Sequence, residues 1–197
     1  MKIPHPAYPQ FATGCMDLAR QAAKPYAGLG FRFATLRYAH SRDLLSGEGA
    51  RNAGGRLNSP GTFAVIYTST DPATATAEAF QNFADFGFGT YVVRPRVFVG
   101  LDVKVGALLD LSDEPVRSQL TITMANLAEP WWPVQETGHE ALTQALGRAA
   151  YEAGFEAILL PSARRKGGFN LNVFPEKLRA GSAVRVIEEQ DLERYLK

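Results

Sequence analysis

The chain reads as a single α+β domain on a mixed, mainly antiparallel sheet. Three observations predict this: β-branched and aromatic runs bounded by glycine and proline, two helical stretches between them, and a strand–turn–strand unit late in the chain. Residues 1–13 carry prolines at 4, 6 and 9 and read as extended. The apolar pattern Met16, Leu18, Ala19, Ala22, Ala23 predicts a helix over 14–27, ended by Pro25. Residues 30–39 predict a strand, and 46–61, with five glycines, a long loop of the kind that often serves function. The run 62–69 predicts a buried strand. Asp71 then reads as an N-cap with Pro72 in the first turn of a helix whose inward face is Ala73, Ala77, Phe80 and Ala84. Strands are expected over 89–99 and 101–111, with Gly100 between them. Residues 113–136 read as a helix followed by an irregular aromatic segment around Trp131 and Trp132. A helix over 138–153 would turn Ala141, Leu142, Ala145, Leu146 and Ala149 inward and stop at Gly154. Strand, polar turn and strand follow, then a last strand over 182–189 and a short terminal helix.

Composition narrows the function classes. Twenty-one basic residues against twenty acidic ones leave a net charge of +1, which gives no broad field to gather nucleic acid or an anionic membrane. One cysteine, Cys15, rules out an internal disulfide and fits a reducing compartment. No stretch approaches the roughly 20 apolar residues that span a bilayer, and the proline-rich start has no secretory apolar region. A cytoplasmic protein is expected.

Familiar chemical motifs are missing. Gly47 and Gly49 begin a dinucleotide-type glycine pattern, but Asn52 stands where its third glycine belongs, and a strand follows where a helix should open. The histidines, His5, His40 and His139, lie far apart and lack metal-ligand spacing, so no metal site is expected. No nucleophile elbow surrounds a serine, and Cys15 has no histidine nearby in sequence.

A denser constellation remains. Arg56 lies in the loop before a strand, Tyr67 near the end of that strand, and Glu78 in the next helix, in two steps of eleven residues. Glu78 is the one acid between Asp71 and Asp85, among alanines, threonines and phenylalanines. A functional carboxylate and an ordinary solvated helix position both fit it. The run from Ser162 to Asn172 adds three consecutive bases and a glycine pair, which fits either an anion site or a solvated turn.

Taken together, Phe31-Arg32, the 46–61 loop, residues 65–69, residues 77–80 and residues 158–174 resemble the RES domain family, named for recurring arginine, glutamate and serine residues. The likeness covers most of residues 30–175, which divides the chain into an N-terminal extension, 1–29, and a RES domain, 30–197. Two departures are visible: Leu57 stands where the family commonly has tryptophan, and Phe33 where it often has tyrosine.

The resemblance implies an ADP-ribosyltransferase-like fold and a toxin of a type II toxin–antitoxin pair. Such a toxin degrades NAD by breaking the nicotinamide–ribose bond, through hydrolysis or phosphorolysis. Protein ADP-ribosylation is the alternative within enzymes, and a non-catalytic binding module the alternative outside them. The implied catalytic residues are Glu78, Arg32 and Tyr67, and the implied substrate contacts are Arg56, Ser162, Asn58 and Asn170. NAD is the substrate and no cofactor or metal is expected. The implied partner is an Xre-type antitoxin with a helix-turn-helix part, in a hetero-oligomer or beside a homodimer, without direct nucleic-acid or membrane binding.

Overall fold

A computed structural model describes residues 2–85 and 96–195. Its elements in chain order are α1 (Tyr8–Ala22), β1 (Lys24–Thr35), α2 (Ser41–Ser46), α3 (Glu48–Ala53), β2 (Ile66–Ser69), α4 (Pro72–Asp85), β3 (Arg96–Asp110), α5 (Glu114–Gln119), α6 (Met124–Ala128), α7 (Trp131–Glu136), α8 (Leu142–Glu152), β4 (Ala157–Pro161), β5 (Phe169–Val173), β6 (Ala183–Val186) and α9 (Glu189–Tyr195). This is the mixed, mainly antiparallel α+β domain that the sequence predicts. One feature was not foreseen: the sheet closes on itself. The strands run β1-β2-β5-β4-β3, and β3 returns to β1, with β6 added along β3. Among the named strands of the described residues, only the β3–β4 pair is parallel.

The closure is uneven. β1 and β3 pair along most of their length, from Lys24 opposite Leu108 to Thr35 opposite Arg96. β1 and β2 meet through a single register pair, Phe31 opposite Ser69. Gly30 permits that approach, since a Cβ there would stand 2.9 Å from the Thr68 hydroxyl.

Alternation along the strands sorts two cores. Val99, Leu101, Val103 and Val105 of β3 point into the ring with Ile66, Leu171 and Val173. The register then slips between Lys24 and Tyr26 of β1, opposite Leu108 and Val105. Beyond this bulge the same odd positions, Ala107 and Leu109, face the second core, against Phe11 and Cys15 of α1 and Ala145, Leu146 and Ala149 of α8. Pro25 sits inside the slip, where a missing N–H costs no ladder bond.

Several boundaries differ from expectation. The first helix starts at Tyr8, because Pro9 occupies its first turn, where proline is tolerated. The first 29 residues therefore contribute α1 and the start of β1 to the fold. The expected loop at 46–61 holds α3, set off by Gly47 (φ 66°) and Gly54 (φ 76°). Gly100 lies inside one long strand, β3; residues 89–95 of the expected strand pair lie outside the described residues. Residues 113–136 form three short helices, with Trp132 exposed on α7 and edge-on to Trp131 at 5.6 Å. Helix α8 stops as expected before Gly154 (φ 85°). Among the described residues, no helix is long and apolar enough to cross a membrane.

Candidate active site

Helix α4 carries the central carboxylate. The Asp71 side chain caps it, accepting from the Thr74 amide at 3.0 Å and the Thr74 hydroxyl at 2.6 Å. The cap fixes the helical phase, so Thr74 and Glu78, one turn apart, face the turn between β4 and β5. The inward face is therefore not the expected one: Thr74 and Ala75 are buried, Ala73 is exposed, and the side chains of Phe80 and Ala84 lie outside the described residues. Gly168 lets the turn press against Thr74, whose hydroxyl a Cβ there would overlap.

Glu78 is partly buried and held from two sides. Its Oε1 accepts from the Ser162 hydroxyl at 2.6 Å and from the Asn170 amide at 2.7 Å. Asn170 is oriented in turn by Ser69, whose hydroxyl donates to its Oδ1 at 2.8 Å. Ser162 Oγ also accepts from the backbone amides of Arg164 and Arg165, at 3.0 and 3.1 Å. The turn thus presents its hydroxyl to the carboxylate and ties its own backbone with the same atom. Arg165 bridges back to Asp71 at 3.3 Å, which fastens the turn to the start of α4.

Arg56 projects from the glycine-rich loop toward the same place. Its Nη1 donates to the Pro161 carbonyl at 3.2 Å and its Nη2 to the Leu127 carbonyl of α6. Burial lowers its pKa from the usual range. Nearby Glu78 opposes that shift, and Arg164 adds to it, so both charged groups lie within electrostatic reach of Arg56. Tyr67 lies under the loop. Its hydroxyl donates to Asn58 Oδ1 at 2.9 Å and accepts from the Leu57 amide at 2.7 Å, and burial pushes its phenol up. Gly55 allows the ring this position, since a Cβ would come within 2.7 Å of ring carbons.

The loop itself rests on α8. The Gln144 amide donates to the carbonyls of Gly55 and Asn58 at 3.0 and 3.1 Å and to Gln135 Oε1 at 2.8 Å. Gly147 is required there, since a Cβ would overlap the Leu57 carbonyl. Asn58, expected to touch substrate, is instead fully buried. Its Nδ2 donates to the carbonyls of Ala50 and Phe63 at 2.7 and 3.3 Å, and its Oδ1 takes the Tyr67 hydroxyl, so its role here is to hold the loop.

Arg32 stands apart from the others. Phe31 pairs with Ser69 and shares its face of the sheet, so Arg32 leaves β1 on the opposite face, with Gly30 and Ala34. Its Nη1 donates to the Leu44 carbonyl at 2.9 Å, its buried Nε has no partner, and burial lowers its pKa to about 10. The guanidinium is still charged at neutral pH.

Of the seven residues singled out, Glu78, Ser162 and Asn170 are hydrogen-bonded to one another, Arg56 stands beside them, and Tyr67 supports the loop that carries Arg56. Sequence reasoning missed Ser69 and Gln144. Period-2 alternation from Tyr67 reaches Ser69; nothing in the amphipathic pattern of α8 marks Gln144. Cys15 is buried in the second core with its thiol pushed up to about 12 by burial, far from nucleophilic character. Among the described residues, no group of three or more histidine, cysteine or acidic side chains could hold a metal ion.

Comparisons with known proteins converge. The probable NAD(+) phosphorylase Rv3189 of Mycobacterium tuberculosis is 35% identical over 124 residues, which cover 63% of this chain and 55% of that protein; the match thus spans little more than half of that relative. The NAD(+) phosphorylase MbcT of Mycobacterium bovis is 31% identical over 145 residues, 71% of this chain and 72% of that protein. The solved structure of the M. tuberculosis MbcT–MbcA toxin–antitoxin complex matches in fold, with a TM-score of 0.63 at 21% identity, covering 94% of this chain and 96% of that one. The family model of the RES domain matches residues 30–195, and the chain belongs to that family.

Proposed function

We propose that this protein is an NAD-consuming toxin that breaks the nicotinamide–ribose bond and transfers the ADP-ribosyl group to inorganic phosphate. The observation that carries this reading is the Glu78 carboxylate, held by Ser162 and Asn170 with Arg56 alongside. Two relatives named NAD(+) phosphorylase support the choice of phosphate over water.

The chemistry follows from charge. Breaking the glycosidic bond sends its electron pair to nicotinamide, which leaves neutral, and the ribose takes on oxocarbenium character. A phosphate oxygen then forms the new bond to the same carbon. Glu78 stabilises the developing positive charge and holds a ribose hydroxyl. Ser162 and Asn170 fix the carboxylate before the reaction, so no reorganisation is needed at the transition state. Arg56 offers a guanidinium to the pyrophosphate of NAD. Tyr67 keeps Arg56 in place through the loop and offers a ring face for the nicotinamide. In this reading Asn58 acts by positioning. Arg32 acts from the other face of the sheet, by setting the position of β1. No resident cofactor is required, because the leaving group departs as a stable neutral base.

The same reading takes the closed sheet as a variant of the ADP-ribosyltransferase layout. Residues 30–197 form the catalytic unit, with residues 1–29 an extension that buttresses it. The protein acts in the cytoplasm, where its single, buried cysteine stays reduced. Its partner is an Xre-type antitoxin with a helix-turn-helix part that covers the site. The fold shared with a toxin from a toxin–antitoxin complex supports that partner.

The test is incubation of purified, antitoxin-free protein with NAD, with and without phosphate, followed by chromatography. Phosphate-dependent release of nicotinamide is expected. Glu78→Gln should slow it 100- to 1,000-fold, about 2.7–4 kcal/mol of barrier, with the melting temperature little changed. Unconsumed NAD with the wild type refutes the reading, and a labelled protein band with labelled NAD and lysate replaces it with protein ADP-ribosylation.

A further inference from the structure

Among the described residues on this face of the sheet, Asn172 has a polar atom with an unanswered hydrogen bond. Along β5 the residues alternate: Leu171 and Val173 enter the apolar core of the ring, while Asn170 and Asn172 leave by the other face. Asn170 is held at both ends, with Ser69 at its Oδ1 and Glu78 at its Nδ2. Asn172 lies one step further along the same face. It is flanked in register by Tyr67 on β2 and Ile158 on β4. It is 2% exposed, and its Oδ1 is buried without a hydrogen-bond partner.

A buried amide oxygen without a donor is costly, and native proteins seldom keep one unless something else satisfies it. A strand position flanked by Tyr67 and Ile158 would accept leucine or valine at lower cost. The neighbouring donors do not reach it: the Tyr67 hydroxyl is turned to Asn58, and the Asn170 amide gives one N–H to Glu78 and none to Asn172. The missing donor therefore has to be brought in.

We propose that Asn172 selects the carboxamide of the leaving group, its Oδ1 accepting an N–H from the primary amide of nicotinamide. The proposal rests on the NAD reading above and names the residue that sets its substrate. Simple electrostatics favours the opposite choice. Arg56 and Arg164 stand near this site, and a cationic pocket would prefer the anionic nicotinate ring. An acceptor oxygen reverses that preference, because it attracts an amide N–H and repels a carboxylate.

The experiment compares turnover of NAD, of its nicotinic acid counterpart and of its hypoxanthine counterpart, by wild type, Asn172→Leu and Asn172→Asp. Each ratio is taken within one preparation, so it does not depend on the fraction folded. The wild type should favour NAD over the nicotinic acid dinucleotide by about tenfold or more, the scale of one neutral hydrogen bond. Asn172→Leu should bring that ratio close to one, at equal or higher melting temperature. Asn172→Asp should retain a preference for the amide. Thermal shift with free nicotinamide and nicotinate gives a readout separate from catalysis. Nicotinamide should stabilise the wild type more than Asn172→Leu, and nicotinate should not. An unchanged ratio in Asn172→Leu overturns the proposal, as does a change confined to the hypoxanthine dinucleotide, which would assign Asn172 to the adenine end. Failure of the wild type to consume any dinucleotide refutes the parent reading. If nicotinamide then still stabilises the wild type and not the variant, the recognition by Asn172 stands on its own.

Discussion

The glycine-rich loop that carries Arg56 and the basic turn that carries Ser162 converge on one carboxylate, and they are held there by different means. The loop is braced from beneath by buried amides: Gln144 takes two of its carbonyls, Asn58 is fully enclosed, and Tyr67 ties Asn58 to Leu57. The turn is fastened at the surface by a hydroxyl and a half-exposed ion pair, Arg165 with Asp71. Buried polar networks are expensive to break, because each lost partner leaves a desolvated group behind. Exposed ion pairs contribute about 0–1 kcal/mol. The cationic wall of the site is therefore rigid, while the wall that touches Glu78 is cheap to alter.

The contrast can be broken at defined points. The largest effect on stability is expected from Gly147→Ala. The new methyl group would drive into the Leu57 carbonyl and lift the loop off α8. Overpacking of this kind costs about 3 kcal/mol, or a fall of about 10 °C in melting temperature for a chain of this size. A fall of under about 2 °C would show that the loop is not braced by α8. Tyr67→Phe comes next. It leaves the Leu57 amide and Asn58 Oδ1 without a partner, at about 1–3 kcal/mol, and should raise the KM for NAD through displacement of Arg56. Urea titration and steady-state kinetics on the same preparation would check both.

Asp71→Ala, on the turn side, should cost about 1 kcal/mol as a lost N-cap. Its pH dependence is specific. The Thr74 hydroxyl, foremost, holds the Asp71 carboxyl below its ordinary value; burial opposes it, and the Thr74 amide and Arg165 add to the lowering. A carboxyl with a lowered folded-state pKa stabilises the fold when ionised. The contribution is therefore complete above about pH 4, the unfolded value, and fades as pH falls through the folded one. The gap between wild type and Asp71→Ala in thermal melts should be present at pH 7 and shrink toward pH 3. A gap that grows on acidification would contradict the cap.

The same contrast explains what the sequence could disclose. The Asp71-Pro72 start of α4, the strand–turn–strand around Ser162 and the stop at Gly154 are local signals, set by one or two residues each, and they hold in the structure. Glu78 was ambiguous in sequence because its partners lie 84 and 92 residues away. The face taken by Arg32 depends on the Phe31–Ser69 pairing, a tertiary fact that local pattern does not carry. The resemblance set Asn58 among the substrate contacts, and its burial under the loop depends on α8 and β2, which lie outside the loop motif. Gln144 carries no local signal, because polarity in an amphipathic helix does not tell a buried amide from an exposed one, and it is fully buried. The closed ring was illegible for a similar reason: β1 and β3 are joined in space across some seventy residues of chain.

That ring has one thin seam. Strand β2 meets β1 through the single Phe31–Ser69 pair, and Ser69 is also the residue whose hydroxyl orients Asn170 beneath Glu78. Local opening concentrates where few pairings hold, so the amides along this seam should exchange with solvent ahead of those between β1 and β3. Such an opening would free β1 and leave Ser69 paired with Asn170 across the β2–β5 ladder. The aim of the carboxylate is thus insulated from the breathing of the barrel, because its anchor belongs to the β2–β5 ladder and not to the seam.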